Sequence, residues 1–330
     1  MRAALLVKPG EIVVGEVADP QVGPDDVCIA VGGVGLCGSD LSVFSGRWPA
    51  PSYPWIMGHE AFGTVEAVGE HVPAERLGET VVVEPNAVCF ACVQCRRGRT
   101  SACVARQSVG MNRPGALAER LVVPGRFAWP VDSGMAPRDL VCIEPLSVVQ
   151  ASLRRHHEPM PDAALVVGVG PLGLLMSLAL LDRGVDVSVH DINPDRVAFA
   201  ARFGARAAPG DPESRFDFVV DTVGSPASTE VALARLQVGG TLLFLGLDDR
   251  PFETSARALV RGQMVLRGSL TYDHPIDFES TLALVAAKRI APGRIVTDEH
   301  PLDDVQRVFD QYAAASGKTW LRVAEMTGTY

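Results

Sequence analysis

The chain has 330 residues, of which 47% are hydrophobic and 21% are charged, and its formal net charge is −9. This length allows two domains and a large core, and the composition indicates a soluble globular protein. The negative net charge argues against nucleic acid as a partner, because phosphate binding requires a basic face.

The N-terminal segment "MRAALLVKPGEIVV" is too short in its apolar part for a signal peptide and predicts a strand followed by a turn. Residues 163–181 contain no charge and are long enough to span a bilayer. Three glycines and Pro171 divide them into a β-branched run and a leucine-rich run, which is typical of strand, turn and helix. We therefore predict a cytoplasmic protein with no membrane partner.

Short alternating runs fill the first 145 residues, as in "AFGTVEAV", "TVVVEP" and "ERLVVP". This pattern predicts a compact domain rich in β-strands. From residue 146 a helical segment is followed by buried strands that alternate with amphipathic helices: "ALVVGV", "DVSVHD", "FDFVVD", "TLLFLG" and "VLRGSL". Such alternation predicts a parallel sheet with right-handed crossovers, and hence an α/β fold.

A glycine-rich turn follows the first of these buried strands. In "VVGVGPLGLL", Gly168, Gly170 and Gly173 have the G-x-G-x-x-G spacing, and Asp191 follows Gly170 by 21 residues. The glycines allow a tight turn, close approach of a pyrophosphate and packing of helix on strand. Asp191 would accept hydrogen bonds from the ribose hydroxyls and repel a 2′-phosphate, so the motif predicts NAD rather than NADP.

Four of the seven cysteines form a C-x2-C-x2-C-x7-C cluster: Cys89, Cys92, Cys95 and Cys103. Thiolates at this spacing bind Zn²⁺ tetrahedrally and leave no open position, so we predict a structural zinc. An iron–sulfur cluster or reduced loop cysteines are the alternatives.

A second group of metal-type residues is scattered along the chain. It comprises Cys37 in "GLCGSDL", His59 and Glu60 in "GHE", and Glu144 in "IEP". A catalytic zinc takes about three protein ligands of mixed type and leaves one position open. Spacing alone leaves two interpretations open, a shared metal site or separate polar residues.

The motifs "GLCGSDL", "GHE", the cysteine cluster, "EPL" and "GVGPLG" occur in the order seen in zinc-dependent medium-chain alcohol dehydrogenases. The chain most resembles their polyol and sorbitol dehydrogenase branch, and the similarity covers essentially its whole length. This resemblance implies a GroES-like catalytic domain, 1–145, completed by 273–330. It also implies a Rossmann doubly wound sheet, 146–272, that binds NAD.

The same resemblance assigns roles to single residues. Cys37 and His59 would be ligands of a catalytic zinc, and Glu60 and Glu144 would share the remaining position, one directly and one through water. Ser39 matches the hydroxyl that takes the proton from the alcohol, and Asp40 would brace the loop. Residues matching the cofactor-binding segments are Gly168, Gly170, Pro171, Leu172, Gly173, Asp191, Val223, Leu245, Gly268 and Ser269. The chain would thus carry two zinc ions and NAD.

One position departs from the family pattern. Many relatives have histidine five residues after the cysteine, whereas this chain has Ser42. Serine can pass a proton on but cannot hold one near neutral pH. Phe44 and Trp48, which follow in the same segment, are candidates for walls of a substrate pocket or for packing residues.

The segment "CGSDLSVFSGRWPAPSYPWIMGHE" is similar to that of 2-deoxy-scyllo-inosamine dehydrogenases of aminoglycoside biosynthesis. This similarity suggests a cyclitol, aminocyclitol or sugar-like secondary alcohol as substrate. It also suggests aminoglycoside-type secondary metabolism as the setting. Similar proteins are homodimers or homotetramers joined at an edge of the Rossmann sheet. The alternative functions are a zinc-independent alkene or quinone reductase of the same fold and a non-enzymatic NAD-binding protein.

Overall fold

The computed structural model describes residues 1–156, 159–211, 213–312 and 315–324. The chain divides into two compact units. The first consists of Met1–Glu144 with Asp273–Tyr330, and the second is Pro145–Tyr272.

The strands, in chain order, are β1 Arg2–Lys8, β2 Glu11–Glu16, β3 Asp26–Gly35, β4 Trp55–Ile56, β5 Glu60–Val68, β6 Thr80–Val83, β7 Asn86–Ala87, β8 Gln107–Ser108, β9 Arg120–Pro124, β10 Ala128–Pro130, β11 Ala163–Val167, β12 Asp186–His190, β13 Arg206–Ala207, β14 Phe216–Asp221, β15 Leu236–Phe244, β16 Val265–Gly268, β17 Val296–Pro301 and β18 Lys318–Arg322. The α-helices are α1 Gly38–Phe44, α2 Val93–Arg96, α3 Pro137–Leu140, α4 Ile143–Arg154, α5 Pro171–Asp182, α6 Pro194–Ala201, α7 Pro226–Ala234, α8 Ala256–Gly262, α9 Ile276–Ala286 and α10 Val305–Gln311.

The first unit is built around a sheet with the order β10-β6-β5-β3-β18-β17, and β9 also pairs with β3. Strand β3 is buried along most of its length and pairs antiparallel with β5. Strand β18 comes from the last part of the chain and pairs antiparallel with the end of β3, with Trp320 opposite Gly35. The C-terminal segment therefore contributes a strand directly beside the residues that precede Cys37.

The second unit contains a parallel sheet with the order β13-β12-β11-β14-β15-β16. Counted from β11, this is the order 3-2-1-4-5-6 of a doubly wound dinucleotide-binding sheet. The prediction of a parallel sheet with intervening helices is confirmed. The order reverses between β11 and β14, and ligands of such sheets bind beyond the carboxyl ends of the strands at that point.

The apolar residues 163–181 form parts of two elements, as predicted. They supply β11, whose last four residues are buried, and most of helix α5. Within the part of the chain that the structure describes, no helix is both long and apolar enough to cross a membrane. The apolar run is thus explained by burial within the second unit.

Candidate functional site

Cys37, the first candidate metal ligand, lies between the end of β3 and the start of α1. Its backbone is extended (φ −113°, ψ 156°), and its amide donates a hydrogen bond of 3.0 Å to Asp40 Oδ2. Asp40 Oδ1 accepts the Gly58 amide at 3.2 Å. The fully buried Asp40 carboxylate therefore holds together the two segments that carry Cys37 and His59.

His59 follows a glycine whose backbone is left-handed. Gly58 has φ +90°, and a Cβ at this position would lie 2.8 Å from the Leu117 side chain. The buried His59 Nδ1 lies 3.3 Å from Asp40 Oδ1, and it has no hydrogen-bond partner among the described residues. Burial is the largest influence and lowers the pKa of His59, but the charge of Asp40 and polar contacts with Asp40 and Cys37 together raise it well above its ordinary value. A metal that binds Nε2 would displace the proton there, while a proton kept on Nδ1 would point at Asp40.

Glu60, the first residue of β5, is paired with a buried lysine. Its Oε2 accepts the ammonium of Lys318, and both side chains are 1% exposed. Lys318 Nζ also donates to the Leu36 carbonyl at 2.9 Å, as does the Tyr312 hydroxyl at 2.9 Å. Burial would lower the pKa of Lys318, but the Glu60 charge contributes to a net rise above its ordinary value. These groups fix the backbone immediately before Cys37.

Sequence reasoning did not identify Lys318 or Tyr312. A signal for Lys318 existed, since only three of the 30 basic residues are lysine and this one begins the apolar strand "KTWLRV". A lysine in such a strand requires a buried anion, because an unpaired ammonium is strongly disfavoured there. The sequence alone does not show which carboxylate supplies it.

One ligand atom from each of Cys37, His59 and Glu60 lies within 4.8 Å of the others. Thiolate, imidazole and carboxylate are the mixed donor set of a catalytic zinc, so these residues fit that ion. Glu144 is buried in the first turn of α4 but is not part of this group. Ser39 is partly exposed in the first turn of α1.

Two residues of helix α1 have roles that the sequence left open. Ser42 is 6% exposed, and its hydroxyl donates to the Gly38 carbonyl at 3.2 Å, as serine often does inside a helix. Phe44 belongs to the hydrophobic core, where its ring lies 5.0 Å from that of Phe309. Phe44 is therefore a packing residue, which is one of the two alternatives, and Trp48 also packs against this core.

The four clustered cysteines offer sulfur atoms within 4.8 Å of one another. Cys89 Sγ lies 4.0 Å from Cys95 Sγ and 3.5 Å from Cys103 Sγ. Four sulfurs at ~2.3 Å from a common zinc ion are about 3.8 Å apart, so the arrangement fits. The Cys95 amide, which donates to the Cys92 sulfur, is the main influence that lowers the pKa of Cys92 to about 6. A thiolate is therefore available near neutral pH.

The glycine-rich turn connects β11 to α5 in the second unit. Gly168 has φ +84°, and a Cβ on Gly173 would lie 1.9 Å from the Gly168 carbonyl oxygen, which accounts for both glycines. A Cβ on Gly170 would meet no described protein atom within 4 Å. Packing within the chain therefore does not require glycine at position 170, whereas close approach of a pyrophosphate would. Pro171 and Leu172 begin the helix whose N-terminus faces that approach.

Asp191 follows β12 and contacts the same turn. Its Oδ2 accepts the Val169 amide and its Oδ1 accepts the Asn193 amide, both at 2.8 Å. Each carboxylate oxygen can accept one more hydrogen bond, for example from a ribose hydroxyl. Ile192 beside it is 97% exposed and offers an apolar surface at the same edge of the sheet.

The remaining candidate cofactor residues lie at the carboxyl ends of β14, β15 and β16. Val223 is 45% exposed, whereas Leu245 is 7% exposed. Gly268 is exposed, and the Ser269 hydroxyl accepts a hydrogen bond of 3.1 Å from Arg155. Leu245 and Ser269 therefore have little side-chain surface left for a ligand, so any contact they make would be through the backbone.

Comparison with known proteins identifies the two parts of the chain. Residues 23–133 match the family described as the alcohol dehydrogenase GroES-like domain, and residues 171–287 match the family described as zinc-binding dehydrogenase. The GroES-like and Rossmann fold class predicted from the sequence is thereby confirmed. The first match contains both Cys37 and the cysteine cluster, and the second begins at the helix after the glycine-rich turn.

Similar proteins cover nearly the whole chain. It is 31% identical to D-altritol 5-dehydrogenase of Agrobacterium fabrum over 94% of this chain and 95% of that protein. It is 27% identical to L-galactonate-5-dehydrogenase of Escherichia coli, again over 94% and 95%. The alcohol dehydrogenase TADH from Thermus sp. ATN1 has the same fold, with a TM-score of 0.89 and 29% identity over 98% of this chain and 100% of that chain.

Proposed function

Because the chain belongs to the zinc-binding medium-chain alcohol dehydrogenase family, as its sequence predicted, we propose that it is a zinc- and NAD-dependent dehydrogenase. Its substrate is a secondary alcohol of a polyol, cyclitol or sugar-like molecule. The observation that carries this proposal is the convergence of Cys37, His59 and Glu60 within 4.8 Å, in a chain that also has a dinucleotide turn.

The first unit supplies the groups that act on the alcohol. A zinc ion held by Cys37 and His59, with Glu60 or Glu144, would polarise the alcohol oxygen and favour its deprotonation. Ser39, which is partly exposed in the first turn of α1, would accept the hydroxyl proton and pass it on. Ser42 does not continue this path, because its hydroxyl donates to the backbone of its own helix. The proton would therefore leave Ser39 through water or through a base other than Ser42.

The second unit binds NAD in preference to NADP. The Asp191 carboxylate lies beside the glycine-rich turn, where it would accept hydrogen bonds from ribose hydroxyls and repel a 2′-phosphate. When bound, NAD supplies the hydride acceptor, and the protein contributes orientation and electrostatics. The exposed Ile192 would offer the adenine an apolar surface.

The substrate class follows from two similarities. Two relatives that cover nearly the whole chain are named D-altritol 5-dehydrogenase and L-galactonate-5-dehydrogenase. The segment that contains Cys37 and His59 is similar to that of aminocyclitol dehydrogenases. We therefore place this protein among dehydrogenases of polyhydroxylated secondary alcohols, with aminoglycoside-type secondary metabolism as its setting. It acts in the cytoplasm as a homodimer or homotetramer joined through the edge strand β16.

The test is NADH formation by the zinc-loaded protein with NAD⁺ and a panel of alcohols, each repeated with NADP⁺. The panel contains a simple secondary alcohol, sorbitol, D-altritol, myo-inositol and an aminocyclitol. Turnover of a polyol or cyclitol with NAD⁺, abolished in Cys37→Ser, supports the proposal. Turnover of the simple alcohol alone removes the polyol class. If no alcohol is turned over although zinc and NAD⁺ are bound, the proposal that the protein is a dehydrogenase is overturned.

A further inference from the structure

Asp221, the last residue of β14, is a buried carboxylate to which the proposed reaction gives no role. It is 0% exposed. Its Oδ1 accepts the amides of Val223 and Gly224, each at 2.9 Å. Its Oδ2 accepts the Thr229 hydroxyl at 2.9 Å and lies 3.1 Å from the Ser228 hydroxyl. Ser228 has a second acceptor nearby, so its single hydrogen is shared.

All these partners are neutral donors. Between residues 1 and 324, in the parts that the structure describes, no arginine, lysine or histidine pairs with Asp221. Both oxygens of Asp221 accept hydrogen bonds, as those of an ionised carboxylate do. The interior of the second unit therefore holds a full negative charge that neutral dipoles solvate. Buried charges are usually paired with an opposite charge, so this one requires a reason.

The charge lies directly behind the wall of a cavity of 400 Å³ in the second unit. Gly224, whose amide binds Asp221, lines this cavity together with Phe244 and Gly246. The Asp221 carbonyl accepts the Gly246 amide at 3.1 Å, so Asp221 fixes both loops at this wall. Two other charged residues line the cavity, Asp248 and Arg250, but they pair with each other at 2.7 Å.

The sheet order indicates which half of a dinucleotide reaches this cavity. The glycine-rich turn follows β11 and Asp191 follows β12, so the adenosine half lies over β11, β12 and β13. A doubly wound sheet binds the second nucleotide over its other half. That half comprises β14, β15 and β16, and the cavity lies at the ends of β14 and β15. The nicotinamide ring is positively charged in NAD⁺ and neutral in NADH.

We propose that Asp221 is a positioning residue for the nicotinamide loop, and that its buried charge favours binding of NAD⁺ over NADH. This inference rests on the cofactor site proposed above. The carboxylate shapes the loop through the amides of Val223 and Gly224 and attracts the oxidised ring through the loop backbone. Only the loop backbone would separate the Asp221 charge from the nicotinamide ring. At the effective dielectric constant of a protein, a unit charge at that separation changes the ratio of the NAD⁺ and NADH affinities by about tenfold.

The test is calorimetric titration of ADP-ribose, NAD⁺ and NADH into the wild type, Asp221→Asn and Asp217→Asn. Asp217 is exposed in the same strand, so the matched variant makes the same change in net charge. We expect Asp221→Asn to raise the ratio of the NAD⁺ Kd to the NADH Kd about tenfold and to leave the ADP-ribose Kd unchanged. Asp217→Asn leaves all three constants unchanged.

Two other outcomes have distinct meanings. If Asp221→Asn weakens NAD⁺ and NADH equally, the charge has no part in the preference and the inference is overturned. If the wild type binds neither ADP-ribose nor NAD⁺, the cofactor site itself is wrong, and the proposed function fails with it.

A second variant covers the case in which Asp221→Asn does not fold. Ser228 is partly exposed in the first turn of α7, within hydrogen-bond distance of the carboxylate. In Ser228→Lys the new ammonium pairs with Asp221 and neutralises it, whereas Ser228→Met adds a side chain of similar length without charge. We expect the ratio of the two Kd values to rise only in Ser228→Lys. An equal effect of both variants overturns the inference.

Discussion

Lys318 holds its ammonium inside the first unit, 1% exposed, against the Glu60 carboxylate and the Leu36 carbonyl. Removing one partner of a buried ion pair leaves the other charge uncompensated, which costs about 3–5 kcal/mol. We expect Lys318→Met to lower the free energy of unfolding of the zinc-free protein by this amount, measured by urea denaturation.

A double-mutant cycle of Lys318 with Glu60 separates the effect of the buried charge from the effect of lost side-chain packing. The double variant Lys318→Met with Glu60→Gln lacks the isolated buried carboxylate, so it is expected to be more stable than Lys318→Met alone. Lys288→Met, at an exposed position, is the matched control. Additive losses in the double variant would contradict a buried ion pair.

Asp191 is the residue on which the proposed preference for NAD over NADP depends. Its carboxylate oxygens accept the Val169 and Asn193 amides and can accept ribose hydroxyls as well. Asp191→Asn removes the charge, and a hydrogen bond to a charged group contributes about 1.5–3 kcal/mol. We expect the preference for NAD over NADP to fall by at least about tenfold, as measured by fluorescence titration of both cofactors. An unchanged preference would assign the choice of cofactor to other residues.

At the scale of elements, the loop from Cys89 to Cys103 is held at more points than its sulfurs. The Ser101 amide donates to Asp273 at 2.8 Å, and the His274 amide donates to the Thr100 hydroxyl at 2.6 Å. The loop is therefore tied to the chain segment that begins at Asp273. A zinc ion bound by the loop would stabilise this junction as well as the loop.

Replacement of one clustered cysteine is expected to remove one zinc ion and no more. Cys92→Ser breaks the four-thiolate set, and the loss of a closed zinc site lowers the melting temperature. The measurement is zinc per chain by atomic absorption, together with a thermal melt. Cys28→Ala removes a thiol that belongs to neither donor group and should keep both ions. If Cys92→Ser retains all its zinc, the cluster is not a metal site.

The elements that the sequence predicted best are those with a strong local pattern. The alternating run "AFGTVEAV" lies within β5, and "FDFVVD" is β14. Strand β13 was missed because two exposed residues carry no pattern. Strand β15 begins at Leu236, five residues before the predicted "TLLFLG", because it continues through a glycine with φ +84° after an irregular register.

The candidate site shows the same division between local and long-range information. The cysteine cluster and the glycine-rich turn are each contiguous, so spacing was enough to find them. The pair of Glu60 with Lys318 joins residues 258 positions apart. It depends on β18 pairing beside the end of β3, which no local pattern indicates. The scattered candidate ligands could be identified by resemblance to a family, whereas Lys318 could be identified only from the fold.

In the molecule as a whole, the proposed catalytic metal site and the proposed dinucleotide site belong to different units. The donors Cys37, His59 and Glu60 lie in the first unit, and the glycine-rich turn and Asp191 lie in the second. No residue of the metal donor groups belongs to the unit that carries the dinucleotide turn. Binding at one site changes affinity at another only through a difference in interaction free energy between states.

Metal removal should therefore separate catalysis from cofactor binding. We expect protein treated with a chelator to lose alcohol oxidation, while its calorimetric Kd for NAD⁺ stays within about twofold of the untreated value. Cys37→Ser should behave in the same way without chelation, and restored zinc should recover activity in the wild type only. If NAD⁺ binding disappears together with the metal, zinc also maintains the cofactor unit, and the assignment of one activity to each unit is wrong.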